Sequence, residues 1–210
     1  MAIGGDAHAA LTLLDWRRQV FAMYADVRAY GDPARAHAHW QTVRNELFAD
    51  HPQSPLSDQR RASFSGLPVA PYDPQLRFEC SLIRTPAEHR DVPTGTDGVV
   101  SFDRIGRLQL GDLGSLDVWS VEGYSGGVFV PLRDGSAGST TYGGGRYVLD
   151  TRKGADLGGD LAGTLVVDLN FAYHPSCAYD PAWACPLAPP GNVFIQPVVA
   201  GEQLPADGWY

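Results

Sequence analysis

Hydrophobic positions recur at helical spacing over residues 11–30. Leu13, Trp16, Val20, Tyr24 and Val27 form one stripe, widened by Leu14, Phe21 and Tyr30, while Arg17, Arg18, Asp26 and Arg28 lie opposite. This pattern predicts an amphipathic surface helix. Gly31 follows as a stop, and Asp32-Pro33 reads as an N-cap with proline at the first helical position. A second helix is predicted over 33–49, with Trp40, Val43, Leu47 and Phe48 on one face and His37 and His39 on the surface. The prolines of His51-Pro-Gln-Ser-Pro-Leu56 end it. A short helical piece fits 57–64.

From about residue 66 the apolar period shortens toward two, and glycine and proline become frequent. Leu76, Phe78, Cys80 and Leu82 alternate with Arg77, Glu79 and Ser81, the mark of a half-buried strand over 76–84. Further strands are predicted at 98–104, 106–111, 116–123, 127–133, 140–149, 163–171 and 193–199. Many short strands without β-α-β alternation give an α+β chain that is mostly β: an antiparallel barrel or sandwich with two N-terminal amphipathic helices. The whole of 1–210 reads as one domain, with a helical region at 11–49 and a β-rich body at 66–202.

Composition narrows the function classes. A formal net charge of −8 with no basic run disfavours nucleic acid and anionic membranes as partners. No apolar run reaches the length of a membrane span, and the N-terminus carries no signal-peptide pattern, so the expectation is a cytoplasmic protein. Three cysteines, Cys80, Cys177 and Cys185, make no disulfide framework. Lys153 is the only lysine among 16 basic residues, a bias that a GC-rich genome accounts for.

Candidate chemistry gathers between Tyr142 and Asn192. In Tyr142-Gly-Gly-Gly-Arg-Tyr147 three glycines sit inside a predicted strand. They mark either a sharp bend or close approach of a ligand to the backbone at Gly144. Arg146 beside them suits a fork on a carboxylate or phosphate, or an internal ion pair. Asp168 and Asn170 share one strand face, where an acid/base and a substrate-orienting amide would stand if the face points inward. Tyr142 and Tyr173 are further orienting groups, and Asn192 either meets a ligand or caps a turn. Cys177 and Cys185, eight residues apart, lack the second close pair of a zinc site. Glu202 reads as an exposed acid in a turn. No complete metal ligand set is readable, and the sequence leaves the cofactor open.

Several stretches resemble the family known as domain of unknown function 1684. They include Asp15-Trp16-Arg17, His51-Pro-Gln-Ser-Pro-Leu56, Tyr72-Asp-Pro-Gln-Leu-Arg-Phe78, Phe129-Val-Pro-Leu-Arg-Asp134, Thr141-Tyr-Gly-Gly-Gly-Arg-Tyr147, Cys177-Ala-Tyr-Asp180 and Cys185-Pro-Leu-Ala-Pro-Pro-Gly-Asn192. The resemblance implies one domain of prokaryotic, cytoplasmic origin and brings no activity with it. His174 stands where the family shows Asn, and Gly191 where it shows Glu. Two readings follow. One is a hydrolase or lyase on a small polar or anionic substrate, with Arg146 as anion clamp and Asp168 as acid/base. The other is a non-catalytic small-molecule binding protein using the same pocket, or a structural metal or thiol site at Cys177 and Cys185.

Overall fold

The computed structural model describes residues 5–94, 98–123, 126–183 and 185–209. Helix α1 spans Gly5–Ala29 and α2 spans Pro33–Asp50. The Asp32 carboxylate caps α2, accepting from the backbone N–H of Ala34 (2.9 Å) and Arg35 (3.4 Å). Pro33 opens the helix without forfeiting a bond, since the first N–H groups of a helix have no internal acceptor. The buried stripe of α1 is Val20, Met23, Tyr24 and Val27, while Leu13, Leu14 and Phe21 stay exposed. On α2 the inward face is Ala36, His37, Trp40, Arg44, Leu47 and Phe48. His37 is therefore a core residue rather than a surface one. Its Nε2 meets the Asn170 carbonyl at 2.9 Å, and burial lowers its pKa. A single turn of helix, α3, covers Asp58–Ala62.

Seven strands follow: β1 (Arg77–Ser81), β2 (His89–Thr94), β3 (Gly98–Gln109), β4 (Ser115–Val121), β5 (Gly127–Leu132), β6 (Arg146–Asp150) and β7 (Thr164–Asp168). Strands β2 to β6 form one antiparallel meander in chain order, and β1 pairs with β7 in a second, two-stranded sheet. The chain is thus α+β, with two long helices and mostly sheet. The five-stranded sheet does not close among the described residues, so of the two expected architectures, barrel or sandwich, the barrel is not seen there. Two causes are visible. Residues 193–199, expected as a strand, make a single bridge (Val193 to Arg133), and Pro197 in that run has no N–H to give a ladder. The predicted strand over 140–149 shortens to β6, because the glycine triplet before it turns the chain.

The core lies between the helices and the sheets, from Tyr24 and Trp40 through Leu108, Leu116, Val118, Val130 and Val148 to Val167 and Leu169. The predicted strands at 98–104 and 106–111 are one element, β3, in which a bulge at Ile105 shifts the register between Arg104 and Gly106. No described helix is long and apolar enough to cross a membrane.

Candidate ligand-binding groove

Register alone assembles one face of the large sheet. Arg90 and Val92 of β2 pair with Phe102 and Val100 of β3, Phe102 pairs with Val121 of β4, and Trp119 of β4 pairs with Phe129 of β5. Paired residues share a face, so these side chains stand side by side. They make an aromatic row: Phe102 to Phe129 at 5.5 Å, Phe129 to Tyr147 at 4.7 Å, and Tyr147 to Tyr173 at 5.8 Å between ring centroids. Three adjoining cavities follow this row. The first lies among Arg90, Val92, Trp119 and the cover residues Pro186, Leu187 and Pro189. The second, about 650 Å³ with its open mouth, adds Arg17, Asp150, Arg152 and Lys153. The third is bounded by Trp16, Tyr24, Arg44, Tyr173, His174 and Tyr179. Phe102, Phe129 and Pro186 wall the first two, and Tyr147 and Lys153 wall the second and third.

The cover is fixed rather than loose. Asn192, wholly buried, donates from Nδ2 to the carbonyls of Asp117 (2.8 Å) and Pro131 (2.9 Å) and accepts from Trp119 Nε1 (2.9 Å). Its amide clasps the proline-rich run onto β4 and β5. Gly191 allows this approach, since a Cβ there would run into the Asp117 carboxylate. That carboxylate is itself held by Arg104 (3.0 Å) and Arg107 (2.6 Å).

Cations border the groove along its length. Arg90 stacks 5.7 Å from the Trp119 ring and pairs with Glu88. Lys153 lies 5.9 Å from the Tyr147 ring, and Arg44 lies 5.0 Å from that of Tyr173. Such placements suit a charge kept over an aromatic face. The acid on this wall is Asp150, 5% exposed, whose carboxyl burial pushes upward against the pull of Lys153 and Arg152.

Behind the third cavity sits a buried polar network. Arg44 Nε and Nη2 both donate to Glu202 Oε1, the first at 2.8 Å. Glu202 Oε2 accepts from Tyr179 Oη (2.5 Å) and the His174 N–H (2.7 Å). Burial disfavours the Arg44 charge, yet the Glu202 carboxylate outweighs it and raises the pKa. Glu202 is thus a buried partner, not the exposed acid the sequence suggests. His174 Nε2 accepts from the Tyr142 N–H at 3.2 Å, and burial drops the His174 pKa to about 4.

The residues singled out by sequence fall mostly elsewhere. Arg146, 1% exposed, donates to Asp134 Oδ2 (2.6 Å) and to the carbonyls of Val198, Ala200 and Glu202. Burial alone would raise the Asp134 carboxyl, but Arg146 and Ser136 hold it low. The guanidinium ties the C-terminal segment to β6 and offers no fork to a ligand. Asp168 accepts from the backbone and side-chain amides of Asn170 (3.0 and 2.7 Å) and from Tyr72 Oη (3.1 Å). Burial raises its carboxyl against those bonds. Asn170 spends its remaining capacity on the Asp73 backbone. The strand ends at Asp168 and Asn170 stands in the 3-10 turn that follows, so the two do not share a strand face as expected but are each other's partners. Gly145, at φ +93°, and Gly144, whose Cβ would meet the Tyr142 ring at 2.5 Å, form a sharp bend before β6. Of the seven, Tyr173 lines the groove, and Tyr142 stands behind it on His174. The sequence reading missed Arg44, Asp150, Lys153 and Glu202.

A family profile described as Protein of unknown function (DUF1684) matches residues 62–203, more than half of the chain. The chain belongs to this family. The DUF1684 match takes in every strand and Glu202, while Asp15–Arg17, His51–Leu56 and the Arg44 helix precede it. Among solved structures, the chain is similar to an uncharacterized protein of Haloarcula marismortui determined by solution NMR. That protein is 32% identical, with 78% of this chain and 89% of that chain covered, at a TM-score of 0.55. No curated protein matches this DUF1684 chain.

Proposed function

We propose that the protein is a non-catalytic binding protein for a small organic anion with a flat apolar part, seated in the groove over Phe102, Phe129 and Tyr147. The observation that carries this reading is the pairing of an aromatic floor with Arg17, Arg152 and Lys153 around one cavity. A flat apolar body would stack on the floor, while a carboxylate or phosphate would meet Lys153 at the rim. A hydrolase or lyase built on Arg146 and Asp168 has less support, since both groups spend their hydrogen bonds inside the protein. We also read the two sheets as a sandwich-like pair within one domain, and the protein as cytoplasmic, with reduced cysteines. No nucleic acid and no membrane belongs to this reading.

The test is a thermal-shift panel of aryl carboxylates, aryl phosphates and amines of matching size. A ligand of the folded state adds about 2.7 kcal/mol at a hundredfold excess over its dissociation constant. Anions alone are expected to raise the melting temperature, and Lys153→Glu to remove the shift. Equal shifts from amines, or a flat response across the panel, would overturn the proposal.

A further inference from the structure

The third cavity, about 530 Å³ with its open mouth, is walled by the rings of Trp16, Phe48, Tyr147 and Tyr173 and reaches Arg44 and His174. Its polar groups do not balance. A backbone N–H can only donate, so the bond from Tyr142 fixes His174 Nε2 as an acceptor. The proton of the ring therefore sits on Nδ1. That N–H is buried and has no partner, since Glu202 Oε2 lies 4.0 Å away, beyond hydrogen-bond reach. Arg44 spends Nε and Nη2 on Glu202, which leaves Nη1 over. The Tyr173 hydroxyl has no hydrogen-bond partner among the described residues.

Glu202 has no room for these donors. Its Oε1 takes both Arg44 bonds, and its Oε2 takes Tyr179 Oη and the His174 backbone N–H. A buried donor left without an acceptor is costly. Three of them on the residues of one cavity call for an occupant that brings oxygens and no protons of its own. Lys153 stands on the same wall and adds positive charge, so an anion suits the site better than a neutral carbonyl. We propose that the third cavity is a binding site for a short aliphatic carboxylate, whose oxygens take up the spare donors of His174, Arg44 and Tyr173 while its chain lies against Trp16, Phe48 and Tyr147. The site adjoins the aryl seat over Phe102 and Phe129 but has its own donors and its own ligand, so it stands apart from that reading.

The test uses the full chain with nitrogen-labelled histidine. Long-range proton–nitrogen spectra should show His174 protonated at Nδ1, and sodium butyrate should shift that resonance to saturation. At matched ionic strength sodium chloride and butylammonium chloride should leave it in place, and butyramide, with one neutral oxygen, should bind more weakly than butyrate. His174→Gln keeps an acceptor for the Tyr142 N–H and drops the Nδ1 donor. By calorimetry it should weaken butyrate binding about tenfold. Tyr173→Phe should weaken it too, while leaving the melting temperature of the unbound protein unchanged, because the hydroxyl it removes has no partner to lose. The spectra need only the unaltered chain, so they decide the matter even where a variant fails to fold. A proton on Nε2, no saturable shift with butyrate, as a cavity holding water only would give, or equal butyrate affinity in His174→Gln would overturn the proposal.

Discussion

Replacing Glu202 by glutamine keeps the shape of the side chain and removes its charge. If the amide oxygen faces Arg44, the amide nitrogen faces Tyr179 Oη and the His174 N–H, both of which donate to Glu202 in the native protein. The tyrosine hydroxyl can rotate and accept. The backbone N–H cannot, and an orphaned buried donor costs about 1–3 kcal/mol. Arg44, held against Trp40, Phe48 and Tyr173, then keeps a buried charge with no counter-ion beside it. Breaking a buried pair from one side costs about 3–5 kcal/mol, a large part of the roughly 5–15 kcal/mol that holds a domain folded. Urea unfolding should show the unfolding free energy fall by that amount, through a lower midpoint at an unchanged slope. Arg44→Met alone should cost a similar amount, since it strands the carboxylate. Together the two changes should cost at least about 2 kcal/mol less than their sum, because the double variant leaves no unpaired charge. Additive effects within about 0.5 kcal/mol would refute the coupled network.

Asn192→Ala should cost about 3–5 kcal/mol by equilibrium unfolding, since it orphans Trp119 Nε1 and frees two buried carbonyls. A cost below about 1 kcal/mol would show that the cover is held by something else. His174 gives a pH signature. Its folded pKa of about 4 lies below the usual 6.5, so the unfolded chain binds the extra proton between those values. Stability is therefore full above pH 6.5 and falls as pH drops toward 4, by up to about 3 kcal/mol. His174→Asn, whose amide oxygen can still accept from Tyr142, should flatten that acid limb, and an unchanged limb in urea titrations at stepped pH would assign it to other groups.

Local chemistry made much of the fold legible. Asp32-Pro33 marks the start of α2 because capping is a property of adjacent residues, and the alternation through Phe78 and Cys80 marks β1 for the same reason. Strand β2 escaped notice because His89–Thr94 has one apolar position beside a proline and shows no period. The site was harder to read. Arg146 drew attention beside the glycine triplet and Asp168 as a polar residue inside an apolar run, which is also how internal ion pairs and turn caps look in a sequence. Arg44 and Glu202 lie 158 residues apart, so nothing local links them. Lys153 was legible only as the single lysine, and its meaning comes from the turn that lays it over Tyr147. Asn192 was noticed as a ligand contact or a turn cap, and the structure shows a third use, pinning one wall of the groove.

The most direct test of the account maps the best-binding aryl anion onto amide resonances of the isotope-labelled protein. Binding in the groove predicts that the largest shifts fall on Phe102, Phe129, Tyr147, Lys153 and Leu187, and that Lys153→Gln weakens affinity while leaving the unbound spectrum intact. Shifts centred on Asp168, Asn170 and Arg28, with the groove residues silent, would contradict it and return the site to the far end of β7.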